Sequence, residues 1–362
     1  MTDPSRNAAD ALASVHAGNF PGLLQALKGS LLATTFQKNM LIVVRSDAAA
    51  LHTHFVALER PMGLAADAKR LYVGTAHSVF EFRNLPAIAS RFDPAAGHDA
   101  VYLKRNEHVT GSIDVHEIAF AGDECWYVNT LFSCLCTLDA QHSFVPRWRP
   151  SFITGYAPED RCHLNGMAIV DGRPRYVTAL GASNAPQGWR DNKRDGGVLI
   201  DAVTGQTIVR GLSMPHSPRW YRDRLWLLES GRGSLATVDL ATGRVDTVIQ
   251  LPGFTRGLDF YGPLAFVGLS QLRASNPFTD IPLTDQNPDR ASGIWVVNID
   301  SGQTVAFLRF SAAIEEIFAV QLLRGVLFPH IVERDAGILG STWSLPPAAM
   351  ANVEFSAEKN AV

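Results

Sequence analysis

Apolar positions along the chain fall into short stretches of strand length, and one arrangement of them recurs. In each copy a short segment enters a strand, passes over a polar turn and meets an aromatic or apolar strand. The copies are Pro61-Met62-Gly63-Leu64 before Leu71-Tyr72-Val73, Val115-His116-Glu117-Ile118 before Trp126-Tyr127-Val128, and Leu164-Asn165-Gly166-Met167 before Tyr176-Val177. Pro215-His216-Ser217-Pro218 precedes Leu225-Trp226-Leu227, and Thr255-Arg256-Gly257-Leu258 precedes Leu264-Ala265-Phe266-Val267. A looser copy, Glu316-Ile317-Phe318-Ala319, precedes Val326-Leu327-Phe328. A period of roughly forty to fifty residues built from short strands is the signature of a β-propeller. The fold class expected is therefore all-β: a six-bladed β-propeller, or seven-bladed if the terminal pieces count separately.

The rest of the chain fits that ring. Residues 1–29 carry Ala8, Ala9, Ala11, Leu12, Leu23, Leu24 and Leu27 at helical spacing with a Gly29 stop, which predicts one or two short helices as a lead-in. From Ser30 the texture is strand-like, through Leu31–Phe36, Met40–Val44 and His52–Leu58, as in the outer strands of a blade lacking its first strand. The tail from Glu316 to Trp343 is expected to supply a first and a second strand. An end blade built from both termini would close the ring over 30–346 and remove its sheet edges, leaving 347–362 as a tail. Asp201, Asp239 and Asn298 each open a Gly-bearing turn between strands, the chemistry of a third-to-fourth strand hairpin. Two insertions, 182–196 with Trp189 and 271–292 with Phe278, Asp280, Asp285 and Asp289, follow second strands. They are expected to rise as lids over the face where the first strands begin.

Equivalent positions of every blade converge on one axis. The position of Met62 is filled in turn by His116, Asn165, His216, Arg256 and a residue beside Glu316. Second-strand ends at Asn129, Glu229 and His330 are expected on the same face, together with Glu117 and His163. Imidazoles and carboxylates around one axis suit acid–base or metal chemistry. His116, Glu117, His163, His216, Glu229 and Glu316 are the candidate catalytic residues, and Arg256, Asn129, Asn165, Trp189 and His330 the candidate substrate-binding ones. His116, His163 and His216 are the candidate ligands of a divalent transition metal (zinc, iron, manganese or copper), since calcium wants oxygen. Without metal, the same histidines serve directly as acid and base. Each also has a structural reading, as a strand-start or turn residue or, for Arg256, as the partner of Glu316 or Glu229.

Composition narrows the classes. Hydrophobic residues make up 46 % of 362, enough for a substantial core, and a net charge of −3 from 35 acids and 32 bases argues against a nucleic-acid groove. No apolar run is long enough to span a membrane, and the first residues do not read as a secretory signal. Cys134-Leu135-Cys136 alternates like a half-buried strand, so the four cysteines read as core residues of a cytoplasmic protein rather than a soft-metal site with Cys162-His163. No P-loop, dinucleotide fingerprint or nucleophile elbow is present, which argues against a nucleotide cofactor.

The motifs Thr34-Thr35-Phe36-Gln37, Arg60-Pro61-Met62-Gly63-Leu64-Ala65, Asp114-Val115-His116-Glu117, Cys162-His163-Leu164-Asn165-Gly166-Met167-Ala168, Met214-Pro215-His216-Ser217-Pro218-Arg219 and Gly257-Leu258-Asp259-Phe260 resemble a bacterial family of conserved hypothetical proteins. That family carries a domain-of-unknown-function label, and some members are joined to tetratricopeptide segments. The resemblance runs from about Pro21 to Trp343; it implies the fold and the site but no substrate. The chain is more distantly similar to six-bladed gluconolactonase and regucalcin-type propellers. Their calcium site is oxygen-rich, and histidines stand in its place here. The expected function is an enzyme with an axial, His-lined, metal-assisted pocket acting on a small anionic metabolite or modified amino acid, by lactone or ester hydrolysis or by lyase or isomerase chemistry. The alternative is a binding platform for a protein or glycan, with Trp189 and Phe278 as anchors.

Overall fold

A computed structural model describes residues 12–47, 49–92, 97–271, 280–286, 290–311 and 313–350. Its strands form six sheets arranged as the blades of a propeller. Blade 1 pairs Ala319–Arg324 with Gly29–Thr35, Met40–Ser46 and Leu51–Ala57. Blades 2 to 6 begin with the innermost strands Leu64–Ala66, Val115–Ala121, Leu164–Val170, Pro215–Tyr221 and Phe254–Tyr261. Each then runs outward through successive antiparallel neighbours. The five well-formed sequence repeats begin these innermost strands.

Alternation explains the packing. In blade 5 the second and third strands, Arg224–Glu229 and Ser234–Val238, send Leu225, Leu227, Ala236 and Val238 toward blade 4 and Trp226, Leu228 and Leu235 toward blade 6. Both faces of an inner strand are thus buried, which is why these segments read as nearly continuous apolar runs. The turn signals hold as well: the Asp239 carboxylate accepts from the Ala241 and Thr242 amides, and Gly243 takes φ +71° to close the hairpin.

The termini close the ring with two departures from expectation. The tail supplies the innermost strand of blade 1, but Val326-Leu327-Phe328 forms a turn rather than a second strand. The Asp99 carboxylate receives the Leu327 and Phe328 amides and redirects the chain. Pro329–Val332 then pairs in parallel with the outermost strand of blade 2, Ala100–Val109. At the other terminus one helix, Phe20–Leu27, is present. The residues before it add a strand, Ser14–His16, to the outer edge of blade 6. The alanine-rich start, residues 1–11, lies outside the described residues.

At the axis the innermost strands approach closely. Gly257 has φ +79°, and a Cβ there would lie 2.6 Å from the Val320 nitrogen, so only glycine fits between blades 6 and 1. No helix among the described residues is long and apolar enough to cross a membrane.

Candidate functional site on the propeller axis

Of the aligned positions, those after Met62 meet in one cavity, while Met62 packs in an apolar cluster instead. His116, Asn165, His216, Arg256 and Phe318 line one small cavity with Glu117, Ser217, Arg219, Gly257 and Ala319. Its volume is about 10 Å3, room for about one water molecule. In blade 1 the axial position, expected beside Glu316, is held by Phe318.

His116 and His216 are held in the same way. His216 Nδ1 lies 2.9 Å from the Met214 carbonyl oxygen and 2.9 Å from Ser230 Oγ, and Ser230 donates its own proton to the Thr255 carbonyl at 2.5 Å. His116 Nδ1 lies 3.3 Å from the Asp114 carbonyl oxygen and 2.8 Å from Thr130 Oγ1, whose proton goes to the Leu164 carbonyl at 2.6 Å. Carbonyl oxygens only accept, so Nδ1 carries the proton in both rings and each Nε2 is left with a lone pair. Met214 and Asp114 sit in left-handed backbone, φ +48° and +52°, which aims their carbonyls back at the rings. Burial holds both imidazoles well below their ordinary pKa. The next contribution for His116 is the neighbouring His163, followed by Arg256; for His216 it is Arg256. Both rings are therefore neutral at physiological pH.

His163 takes φ +50° at the turn into blade 4 and meets His116 edge-to-face, ring centroids 4.6 Å apart. Its Nδ1 lies 2.9 and 3.0 Å from the two carboxylate oxygens of Asp160. Asp160 also accepts the Trp189 indole N–H at 2.9 Å, and the indole packs on the His163 ring at 4.4 Å. The chain Trp189–Asp160–His163 fixes this imidazole as an Asp–His dyad does, with its outer nitrogen available. Asp160 was absent from the residues expected in the site.

Arg256 stacks its guanidinium on the Phe318 ring at 3.5 Å and makes no hydrogen bond to any described residue. Burial pulls its pKa down to about 10, against the field of Glu316, Glu117 and Asp114. Glu316 holds Thr35 Oγ1 at 3.2 Å and the Gln37 amide at 3.4 Å through one oxygen, while its other oxygen has no partner among the described residues. Burial raises its pKa to about 7, with Arg256 opposing.

Several expected site residues have other roles. Glu117 forms a two-bond ion pair with Arg219, at 2.8 and 3.1 Å, while Arg219 Nε holds the Leu258 carbonyl. This pair ties blades 3, 5 and 6 and leaves Glu117 committed. Glu229 accepts from the Ser213 amide and Arg232, away from the cavity. The Asn129 side-chain oxygen accepts from the Phe132 amide, within blade 3. Asn165 lines the cavity, but its amide is used on the Pro215 carbonyl and Thr178. His330 is not axial at all: the parallel strand carries it to the rim, where it stacks on His54 at 4.8 Å and packs against Phe92 and His98.

The expected three-histidine metal set is not assembled. Among the described residues no three of His, Cys, Asp and Glu are grouped so as to hold a metal ion. The cysteines are buried core thiols, as alternation indicated. The described parts of the two insertions pack together, with Arg194 bonded to Asp285 at 2.7 Å and Trp189, Ile281 and Leu283 sharing one apolar cluster with Leu180, Met214 and Phe254. Trp189 is therefore a buried support rather than a substrate contact or exposed anchor; Phe278 lies outside the described residues.

Solved structures share this architecture. A chain of a nidogen/laminin complex matches with a TM-score of 0.53 at 11 % identity, covering 82 % of this chain and 99 % of that one. A protein of unknown function from Bacteroides caccae matches with a TM-score of 0.53 at 10 % identity, over 82 % and 99 % of the two chains. At such identities the likeness establishes the fold alone. These matches lend no support to the likeness with gluconolactonase-type propellers. No curated protein matches the sequence. The family described as Domain of unknown function (DUF4915) matches residues 18–332, and the chain belongs to that family.

Proposed function

We propose that the axial cluster is the reaction centre of an enzyme acting on a small anionic molecule, with protons carried by side chains and no metal required. One observation carries this reading: Arg256 is a buried guanidinium with no hydrogen-bonded partner among the described residues, set among histidines. A buried charge is costly unless it is paired, and a guanidinium is shaped to take a carboxylate or phosphate on two of its donors. Glu316 and Glu117 stabilise the charge from a distance without using those donors.

In this reading Arg256 anchors the anionic group. His163, oriented by Asp160, is the general base at the more open edge, with its side chain 14 % exposed. It removes a proton from the anchored substrate or from a water beside it and returns it to the leaving or rearranged group. Hydrolysis of an ester or lactone and lyase or isomerase chemistry all use this single exchange. The packed insertions would shield the centre from bulk water.

Isothermal titration with small carboxylates and phosphates tests the anchor. The wild-type protein is expected to bind at least one of them, and Arg256→Gln to bind none while keeping its fold by circular dichroism. Equal binding by both proteins, or none by either, would overturn the proposal.

A further inference from the structure

A second polar cleft opens between blades 3 and 4, at the strand ends opposite the axial cavity. His116 stands at the start of the first strand of blade 3, whereas Glu124 and Trp126 begin the second strand, beyond the turn at 122–123. Across the cleft lies the corresponding hairpin of blade 4, with Gly172, Arg173 and Pro174. The cleft has a volume of about 440 Å3, in the range of small-molecule sites.

Its blade 3 wall is held in place by its own bonds. The Glu124 carboxylate accepts the Trp126 indole N–H at 2.7 Å and Arg147 at 2.8 Å. Arg147 also donates to Thr137 Oγ1 at 3.2 Å and lies over the Trp126 ring. A register shift between Leu135 and Cys136, in their pairing with the outermost strand Val145–Trp148, lets the consecutive residues Arg147 and Trp148 both reach the cleft. The half-buried Trp148 ring packs on the apolar cluster shared by blades 3 and 4. Its indole N–H and the exposed Arg173 guanidinium have no hydrogen-bonded partner among the described residues.

We infer that this cleft binds an acidic sugar, a pyranose ring carrying a carboxylate. Two guanidiniums face one carboxylate, which leaves one positive charge for an anionic ligand. The groups still open are donors on Arg147, Trp148 and Arg173 and the second lone pairs of the Glu124 oxygens. Vicinal hydroxyls accept from the former and donate to the latter. The two tryptophan rings add apolar surface suited to the C–H face of a sugar ring. An aromatic acid would meet the charge and the rings but would leave the Glu124 lone pairs without donors.

The test is titration of sodium glucuronate into the full chain, followed through the indole signals of Trp126 and Trp148 in proton–nitrogen-15 NMR spectra. This readout sits in the cleft itself and does not depend on the axial site. Both signals are expected to move, with an affinity about tenfold above that for glucose. Arg173→Gln, a change at an exposed position, is expected to keep the fold and to lower glucuronate to the level of glucose. Indoles that stay still at about 50 mM glucuronate, that respond equally to glucose, or that respond more strongly to benzoate would overturn the inference. So would an Arg173→Gln protein as responsive as the wild type.

Discussion

The Trp189 indole nitrogen lies 2.9 Å from a carboxylate oxygen of Asp160, so a residue of the 182–196 insertion supports the imidazole next to the axis. Asp160 in turn holds His163, and the indole packs against that ring at a tilt of 41°, which limits its rotation. The insertion acts on the site through this carboxylate rather than by touching a ligand.

Trp189→Phe keeps the aromatic packing and removes the hydrogen bond. The expected cost is about 1 kcal/mol in stability, read from urea unfolding. The His163 ring signals should also broaden or move in NMR spectra. An unchanged His163 environment would show that Asp160 holds the ring unaided.

The buried ion pair between Glu117 and Arg219 is structural. Glu117→Gln leaves Arg219 uncompensated between three blades and is expected to cost about 3–5 kcal/mol. The double variant Glu117→Gln/Arg219→Met, which removes both charges, should recover a large part of that loss. Additive losses in urea unfolding would argue against a coupled pair.

The axial groups give stability a defined pH dependence. His116 and His216 have folded pKa values well below the ordinary 6.5, so the unfolded chain binds more protons in that range. Their contribution is present above about pH 6.5 and is lost as the pH falls below it. Glu316 acts in the opposite sense, since its folded pKa of about 7 exceeds the ordinary 4.5. Its contribution is present at low pH and is lost as the pH rises through about 7. Glu316→Gln removes that loss, so the variant should gain on the order of 2 kcal/mol over wild type between pH 5 and pH 8. Parallel stability curves for the two proteins would contradict the assignment.

Much of this was legible in the sequence, and the reason is geometric. Met62, His116, Asn165, His216 and Arg256 occupy one phase of the repeat, and a propeller brings equal phases to one axis. Residues off that phase were harder to place. Asp160 belongs to the loop before blade 4, where no repeat position marks it, although its three-residue spacing from His163 was a usable signal. His330 looked like the end of a second strand, but Asp99 captures the preceding turn and sends it to the rim. The partner of Glu117 lies far along the chain, in blade 5, and neither local pattern nor charge spacing points to it.

Close packing at the axis adds a backbone prediction. Gly257→Ala places a methyl against blade 1 and an L residue at φ +79°. A loss of about 3 kcal/mol is expected from strain and crowding together. A thermal midpoint equal to wild type would mean that blades 6 and 1 are less tightly joined than described.

The central claim is that Arg256 and the two neutral imidazoles form an anion site. The most direct measurement is a nitrogen-15 NMR spectrum of the histidine rings with and without acetate. The account predicts that His116 and His216 appear as neutral Nδ1–H tautomers at pH 7 and that acetate moves their ring signals in wild type but not in Arg256→Gln. Histidine spectra that ignore acetate, or that respond equally in the Arg256 variant, would contradict it.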